Sequence, residues 1–359
     1  MNEKQRIKRL VRFRSTDCIP WQINCTTQLA DRLMDDLRLT RNRQGVFSSS
    51  VLKYNPLNDF FGNHLAYIRN RGLNSVREVE PGLWRDEWNV LWDRTIDKDI
   101  GTPANCVLDS GDLQGLSVPD PDDPERFAHC RPIVEANPSR YILSKFSYSL
   151  FERSWSLRGM ENLMIDFLQH PSFVDELFRR ICEFNLAVMK NLSQFPIDGI
   201  YFGDDWGSQR ALLMSPDIWR RFIKPHLKVM YDQAHRQGYD VFIHSCGDIS
   251  AILDDLVEIG LNVFNPFQPE VMHIEQMMKR YSGRLAFYGS LSIQNTLPFG
   301  TAENVKDEVD RRLSSARRYG GLIISPSHDM PLDIPLENIL VMLETLKNQS
   351  PQQTKGRET

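Results

Sequence analysis

From Arg140 onward the chain alternates between two hydrophobic patterns. Short, continuous apolar runs cover 141–146, 199–202, 239–243, 261–264, 285–288 and 322–324, as strands buried on both faces do. Between them apolar residues recur every three or four positions, which predicts amphipathic helices. Met160, Leu163, Met164, Phe167 and Leu168 share one helical face within 158–170. Pro171 opens a helix carrying Phe173, Leu177, Ile181, Phe184, Val188 and Leu192. Ser215 and Pro216 supply an N-cap and N1 proline for a helix that stops at Gly238. Further helices are expected over 249–259, 272–281, 302–319 and 335–346, with Gly260 and Gly320-Gly321 ending two of them.

The pattern before Arg140 is less regular. The first residues read as an amphipathic helix with Ile7, Leu10 and Val11 on one face. Residues 18–25, CIPWQINC, form a candidate strand, followed by a helix capped by Thr26 or Thr27 and carrying Leu29, Leu33 and Leu37. In 83–95, Trp84, Trp88 and Trp92 fall at helical spacing, yet Val90, Thr95 and the tryptophans also fit a hairpin across Asp86–Asn89. The proline- and acid-rich 118–127 predicts a surface loop leading to a helix.

At least five strand–helix units lie between 197 and 347, with earlier ones near 18 and 141. Such alternation builds right-handed βα units. The expected fold is α/β, a (β/α)8 TIM barrel. An open doubly wound sheet is the alternative, but no glycine-rich dinucleotide loop follows any strand. One domain is expected over 1–347, with 45–135 inserted as a lid over the barrel mouth. The polar tail 348–359 is expected to be disordered.

Barrel active sites form at the C-terminal ends of the strands. Reading there collects Glu152 after the strand at 141, then Asp204, Asp205, Trp206, Ser208 and Gln209 after the strand at 199. His244, Cys246 and Asp248 follow the strand at 239. Asn265 and Gln268, then Ser290 and Gln294, follow the next two strands, and Ser325, Ser327, His328 and Asp329 the last. His244 and Cys246 stand two apart, so on extended backbone they point the same way and can hold a borderline metal, above all zinc. The bland alternative is a buried cysteine beside a hydrogen-bonded histidine. Catalytic zinc takes three protein ligands and keeps one position open; His328 is the expected third, with Glu152 as fallback. Glu152, Asp204 and Asp205 are candidate catalytic acids, although one aspartate of the pair is expected to cap a turn. Trp206, Gln209, Asn265, Gln268, Ser290 and Gln294 are candidate substrate contacts.

Composition narrows the class. The net charge is −4, and no basic stripe with interleaved aromatics recurs, which argues against a nucleic-acid surface. No apolar run approaches the roughly 20 residues that span a bilayer. The six cysteines show no CxxC spacing and no disulfide framework, so a reducing cytoplasm is expected.

Three blocks carry a resemblance: DDWGSQRALLMSPDIWRRFIKPHLKVMYDQAHRQGYDVFIHSCGDI, FYGSLSIQNTLPFGTAENV and ISPSHDMPLDIPLEN. The chain resembles the uroporphyrinogen decarboxylase superfamily, whose fold is a (β/α)8 barrel. That superfamily holds two chemistries. Its true decarboxylases are metal-free and carry an N-terminal RQAGRY-type motif and an early aspartate that grips pyrrole nitrogens. Here the corresponding region reads CIPWQINC, although His328 stands where those enzymes have a histidine. A substrate with four carboxylates would want several arginines in the cleft, and the strand ends read above offer almost none. The zinc-dependent, corrinoid-linked methyltransferases carry His-x-Cys after a barrel strand and a later cysteine. His244-Ser245-Cys246 matches the first half, and His328 stands at the place of the second cysteine. Glu152 falls where that branch has an acid close to zinc. The resemblance therefore implies zinc as cofactor and transfer of a methyl group between a small methylated substrate and a corrinoid. No DxHxxG motif occurs, which places the cobalamin on a partner protein. Two alternatives stand beside this reading: a metal-free decarboxylase or lyase using His328 and an aspartate, and a non-catalytic corrinoid or small-molecule binding protein.

Overall fold

The computed structural model describes residues 1–39, 55–70 and 75–349. Seven parallel strands form one curled sheet: β1 (Leu65–Arg69), β6 (Tyr141–Phe146), β7 (Gly199–Gly203), β8 (Asp240–His244), β9 (Val263–Phe267), β10 (Ala286–Leu291) and β11 (Leu322–Pro326), paired in that order. β6 coincides with the expected run, and each strand from β7 onward is the expected one extended by one to three residues at its C-terminal end, where it reaches polar positions. β1 lies inside the stretch read from sequence as lid, so that part of 45–135 belongs to the main sheet. Its five residues, LAYIR, end in a charged side chain and are too short to show a period.

Residues 20–25 are extended but form isolated bridges rather than a strand. Trp21 pairs with Ile324 and Cys25 with Met330, both parallel. On the β1 side two side-chain amides replace the missing ladder: Ile23 N–H donates to Asn63 Oδ1 at 2.8 Å, and Leu65 N–H to Gln22 Oε1 at 2.9 Å. Pro20 has no N–H to offer.

Alternation along the strands sorts the sheet interior into layers. Leu65, Tyr141, Leu143, Phe242, Val263, Ala286 and Ile323 cluster with Ile7 and Leu10 of the N-terminal helix Glu3–Leu10 and with its C-cap Val11. That helix seals the end of the sheet opposite the site. Each of the three side chains, Ile7, Leu10 and Val11, contributes roughly 1.5–3 kcal/mol on burial. Two residues further along the same strand faces stand Lys145, His244 and Asn265, so each strand is apolar at its start and chemical at its end.

The helices fall close to expectation. Residues 151–170 split at Gly159 into Phe151–Arg158 and Met160–Gln169. Helix 216–236 contains a π turn, Trp219–Ile223, just before Pro225, which cannot donate the next i→i−4 bond. The tryptophan-rich stretch is a hairpin: β3 (Leu83–Asp86) and β4 (Leu91–Asp93) join β2 (Val76–Glu80) and β5 (Thr102–Pro103) in a separate antiparallel sheet. Asp86 closes the hairpin, accepting from Trp88 N, Val90 N and Trp92 Nε1, and pairs with Arg153 at 2.7 Å. The small sheet is thereby tied to helix Phe151–Arg158. Lid residues 45–54 and 71–74, and tail residues 350–359, lie outside the described residues. No described helix is long and apolar enough to cross a membrane.

Candidate functional site

Two loops cross at the ends of β7 and β8, and glycines permit the crossing. A Cβ on Gly247, at φ +83°, would stand 2.4 Å from the Gly207 carbonyl carbon; one on Gly207 would stand 2.6 Å from the Cys246 oxygen. Their backbones therefore touch, and cross-loop bonds hold them. Asp204 N–H donates to His244 O, Trp206 N–H to Ser245 Oγ, and Asp248 N–H to Ser208 O. Gln268 Oε1 accepts from Gly247 N–H. This lacing sets Asp205 and Cys246 side by side, with Cys246 N–H donating to Asp205 Oδ1 at 2.8 Å.

His244, Cys246 and His328 converge, with one ligand atom from each lying within 4.8 Å of the other two. Cys246 Sγ is 3.3 Å from His244 Nε2, and the two imidazole rings meet edge to face at 5.4 Å. Tetrahedral zinc with ordinary bond lengths holds its ligand atoms about 3.5 Å apart, so the donor set fits the ion in both chemistry and spacing. His328 arrives from the loop after β11, held by Ser327 N–H to Leu291 O and by Met330 N–H to Asn24 O.

Asn265 fixes the tautomer of His244. Its Nδ2 donates to the Tyr288 carbonyl at 2.9 Å, which can only accept, so Oδ1 must face His244 Nδ1 at 2.6 Å. Nδ1 therefore carries the proton, and the Nε2 lone pair points at Cys246. Tyr201 also donates to the same Oδ1. Burial lowers the His244 pKa and keeps the ring neutral, the form that binds a metal. The Cys246 thiol is pushed well up, by burial first and then by Asp205, Glu152 and Asp329. The negative field that disfavours the thiolate is one a divalent cation reverses.

The three acids have three environments. Asp204 is fully buried, and its carboxylate accepts from Leu150 N, Phe151 N, Glu152 N and Trp206 Nε1 at 2.7–3.3 Å. It caps helix Phe151–Arg158 from another strand and does not line the cavity, unlike the other two acids expected to act there. Asp205 is half-exposed and stands 3.8 Å from His244 Nε2. Glu152, in the first turn of the capped helix, is half-buried and pushed well above the usual carboxylate range, by burial first and then by Asp205 and Asp204.

A cavity of about 240 Å³ joins these groups, lined by Glu152, Asp205, His244 and His328, and also by Lys145 and Tyr201. Of the expected substrate contacts only Asn265 lines it, and its amide is committed to His244. Trp206 is wholly buried against Trp219, because its indole N–H serves Asp204. Gln268 is spent on the Gly247 loop, and Ser290 is buried outside the cavity lining. Gln209 and Gln294 are exposed and line no part of it. Sequence reading overlooked Lys145, Tyr201, Tyr67 and Arg69. A lysine near the end of an otherwise apolar strand was the available signal for the first; the unread β1 concealed the last two.

The uroporphyrinogen decarboxylase (URO-D) family pattern matches residues 98–349. No curated protein matches the chain. Among solved structures, a methyltransferase from Methanosarcina mazei superposes with a TM-score of 0.75 at 16% identity, covering 97% of this chain and 98% of that one. A sugar phosphate isomerase/epimerase from Parabacteroides distasonis gives a TM-score of 0.41 at 10% identity, over 93% of this chain and 96% of its own.

Proposed function

The chain belongs to the uroporphyrinogen decarboxylase family, and from that premise we propose that it is a zinc-dependent methyltransferase or demethylase. The methyl group would move between a small methylated substrate and a corrinoid carried by a separate protein. The observation that carries this reading is the His244–Cys246–His328 cluster with its tautomer set by Asn265. Zinc bound there supplies a Lewis acid that activates a thiol or polarises an ether or alcohol oxygen. The residues do the rest. Asn265 and Tyr201 hold the His244 ring in place. Asp205 steadies the Cys246 backbone and faces Nε2. Glu152, whose carboxyl is pushed up by burial and by Asp205 and Asp204, lines the cavity and would exchange a proton there with a bound group. The fold of the proposal is a closed (β/α)8 barrel, with residues 20–25 as the stave between β11 and β1.

Metal analysis of the full chain, expressed with zinc supplied, is the test. One zinc per chain is expected, and its loss in Cys246→Ala. A wild-type chain without zinc overturns the reading. Lys145 in the cavity lining, with Arg69 in the adjoining hollows, favours a second reading: a metal-free decarboxylase using His328 and Asp205. Carbon dioxide release from a carboxylic substrate by chelator-treated protein would select it.

A further inference from the structure

Register places Arg69 of β1 beside Lys145 of β6, and Lys145 beside Tyr201 of β7. Residues in register on parallel strands point to the same side. The Lys145 ammonium rests over the rings of Tyr67 and Tyr201, 4.9 and 5.1 Å from their centroids. Neither cation makes an ion pair with a described residue. Lys145 is half-buried and Arg69 is exposed at the end of its strand; a half-buried ammonium without an anion carries a desolvation cost that two aromatic faces return only in part. Ring contacts alone are a poor reason to keep a lysine there.

Lys145 lines the cavity that holds His244 and His328. It also lines the two adjoining hollows, of about 390 and 150 Å³, and Arg69 lines both of those with it. The carboxylate whose charge both cations sense is Asp329. Tyr201 connects the two ends of the cavity: it carries Lys145 on its face, and its ring lies 6.3 Å from the His244 ring. Lys145 and His244 therefore both adjoin the one ring of Tyr201, within the same cavity.

We propose that Lys145 and Arg69 form an anion seat and that the substrate is a small methylated acid. Its carboxylate, or another compact oxyanion, binds the seat while its methylated atom faces His244, Cys246 and His328. The second half rests on the methyl-transfer reading; the seat itself does not.

Isothermal titration of the full chain, zinc-loaded and zinc-free, tests it with two matched pairs: methoxyacetate against methoxyacetamide, and 3-(methylthio)propionate against its amide. Each acid is expected to bind at least tenfold more tightly than its amide. This comparison needs no variant. Lys145→Met and Arg69→Gln are each expected to reduce the preference at least fivefold, and Lys145→Arg to retain it, all with unchanged zinc stoichiometry. Equal binding of acids and amides, no binding of either acid, or a preference that survives both charge-removing variants overturns the seat. Acid preference in a chain that takes up no zinc upholds the seat and removes only the methyl-transfer reading.

Discussion

Replacing Asp204 with alanine and, separately, Asp205 with alanine separates two adjacent acids that the chain itself does not distinguish. Asp204 receives three backbone N–H groups from the start of helix Phe151–Arg158 and the indole N–H of Trp206, all in a site without exposure to water. Losing a helix cap costs about 1–2 kcal/mol, and a buried donor left unpaired adds about 1–3 kcal/mol. Part is offset because burial pushes the Asp204 carboxyl up to about 6, so its ionised form is held at some expense. A net loss of about 3 kcal/mol is expected for Asp204→Ala. Asp205 is half-exposed and gives up one bond, from Cys246 N–H, so about 1 kcal/mol is expected. Urea unfolding at pH 8, followed by tryptophan fluorescence and compared at equal slope, measures both. If Asp204→Ala unfolds within about 1 kcal/mol of wild type, or if both variants fall equally, the capping argument is wrong.

Other expectations follow from single contacts. Asn265→Ala should weaken zinc binding about 10–100-fold in a chelator competition, because its amide oxygen is the 2.6 Å acceptor that fixes Nδ1–H on His244; unchanged affinity would show that the tautomer is set some other way. Gly247→Ala should lower stability by more than about 2 kcal/mol, since its backbone is left-handed and a methyl meets the Gly207 carbonyl carbon at 2.4 Å; calorimetry checks this. His64 is 1% exposed against Trp21, and burial lowers its pKa to about 4 from 6.5. Its contribution is present above pH 6.5 and lost as the pH falls through about 4, up to about 3 kcal/mol. Acid titration of stability should be flatter in His64→Phe over that window, and identical profiles would refute it. Gln209→Ala and Gln294→Ala, both exposed and outside the cavity lining, should change stability by no more than about 0.5 kcal/mol.

How much was legible follows from which forces are local. Strands buried on both faces must be apolar throughout, so β6 to β11 could be read as runs, and helix caps such as Thr26 and Ser215 mark where helices begin by side-chain chemistry alone. The spacing of His244 and Cys246 was likewise local, because extended backbone sends alternate residues the same way. Tertiary structure decided the rest. Asp204 and Asp205 are neighbours with opposite fates, since one faces a helix start 52 residues away and the other the Cys246 loop. Trp206 went to the core because an acid beside it needed a donor. His328 joined His244 only because the sheet curls and returns β11 toward β8. Arg69 and Lys145 became neighbours through the pairing of β1 with β6, a register that no local pattern encodes. Periodicity along the chain therefore determined the elements and the ends where chemistry would sit. Which polar groups at those ends meet a ligand, and which serve the fold, depended on contacts between residues far apart in the chain, where burial and unpaired donors decide the outcome.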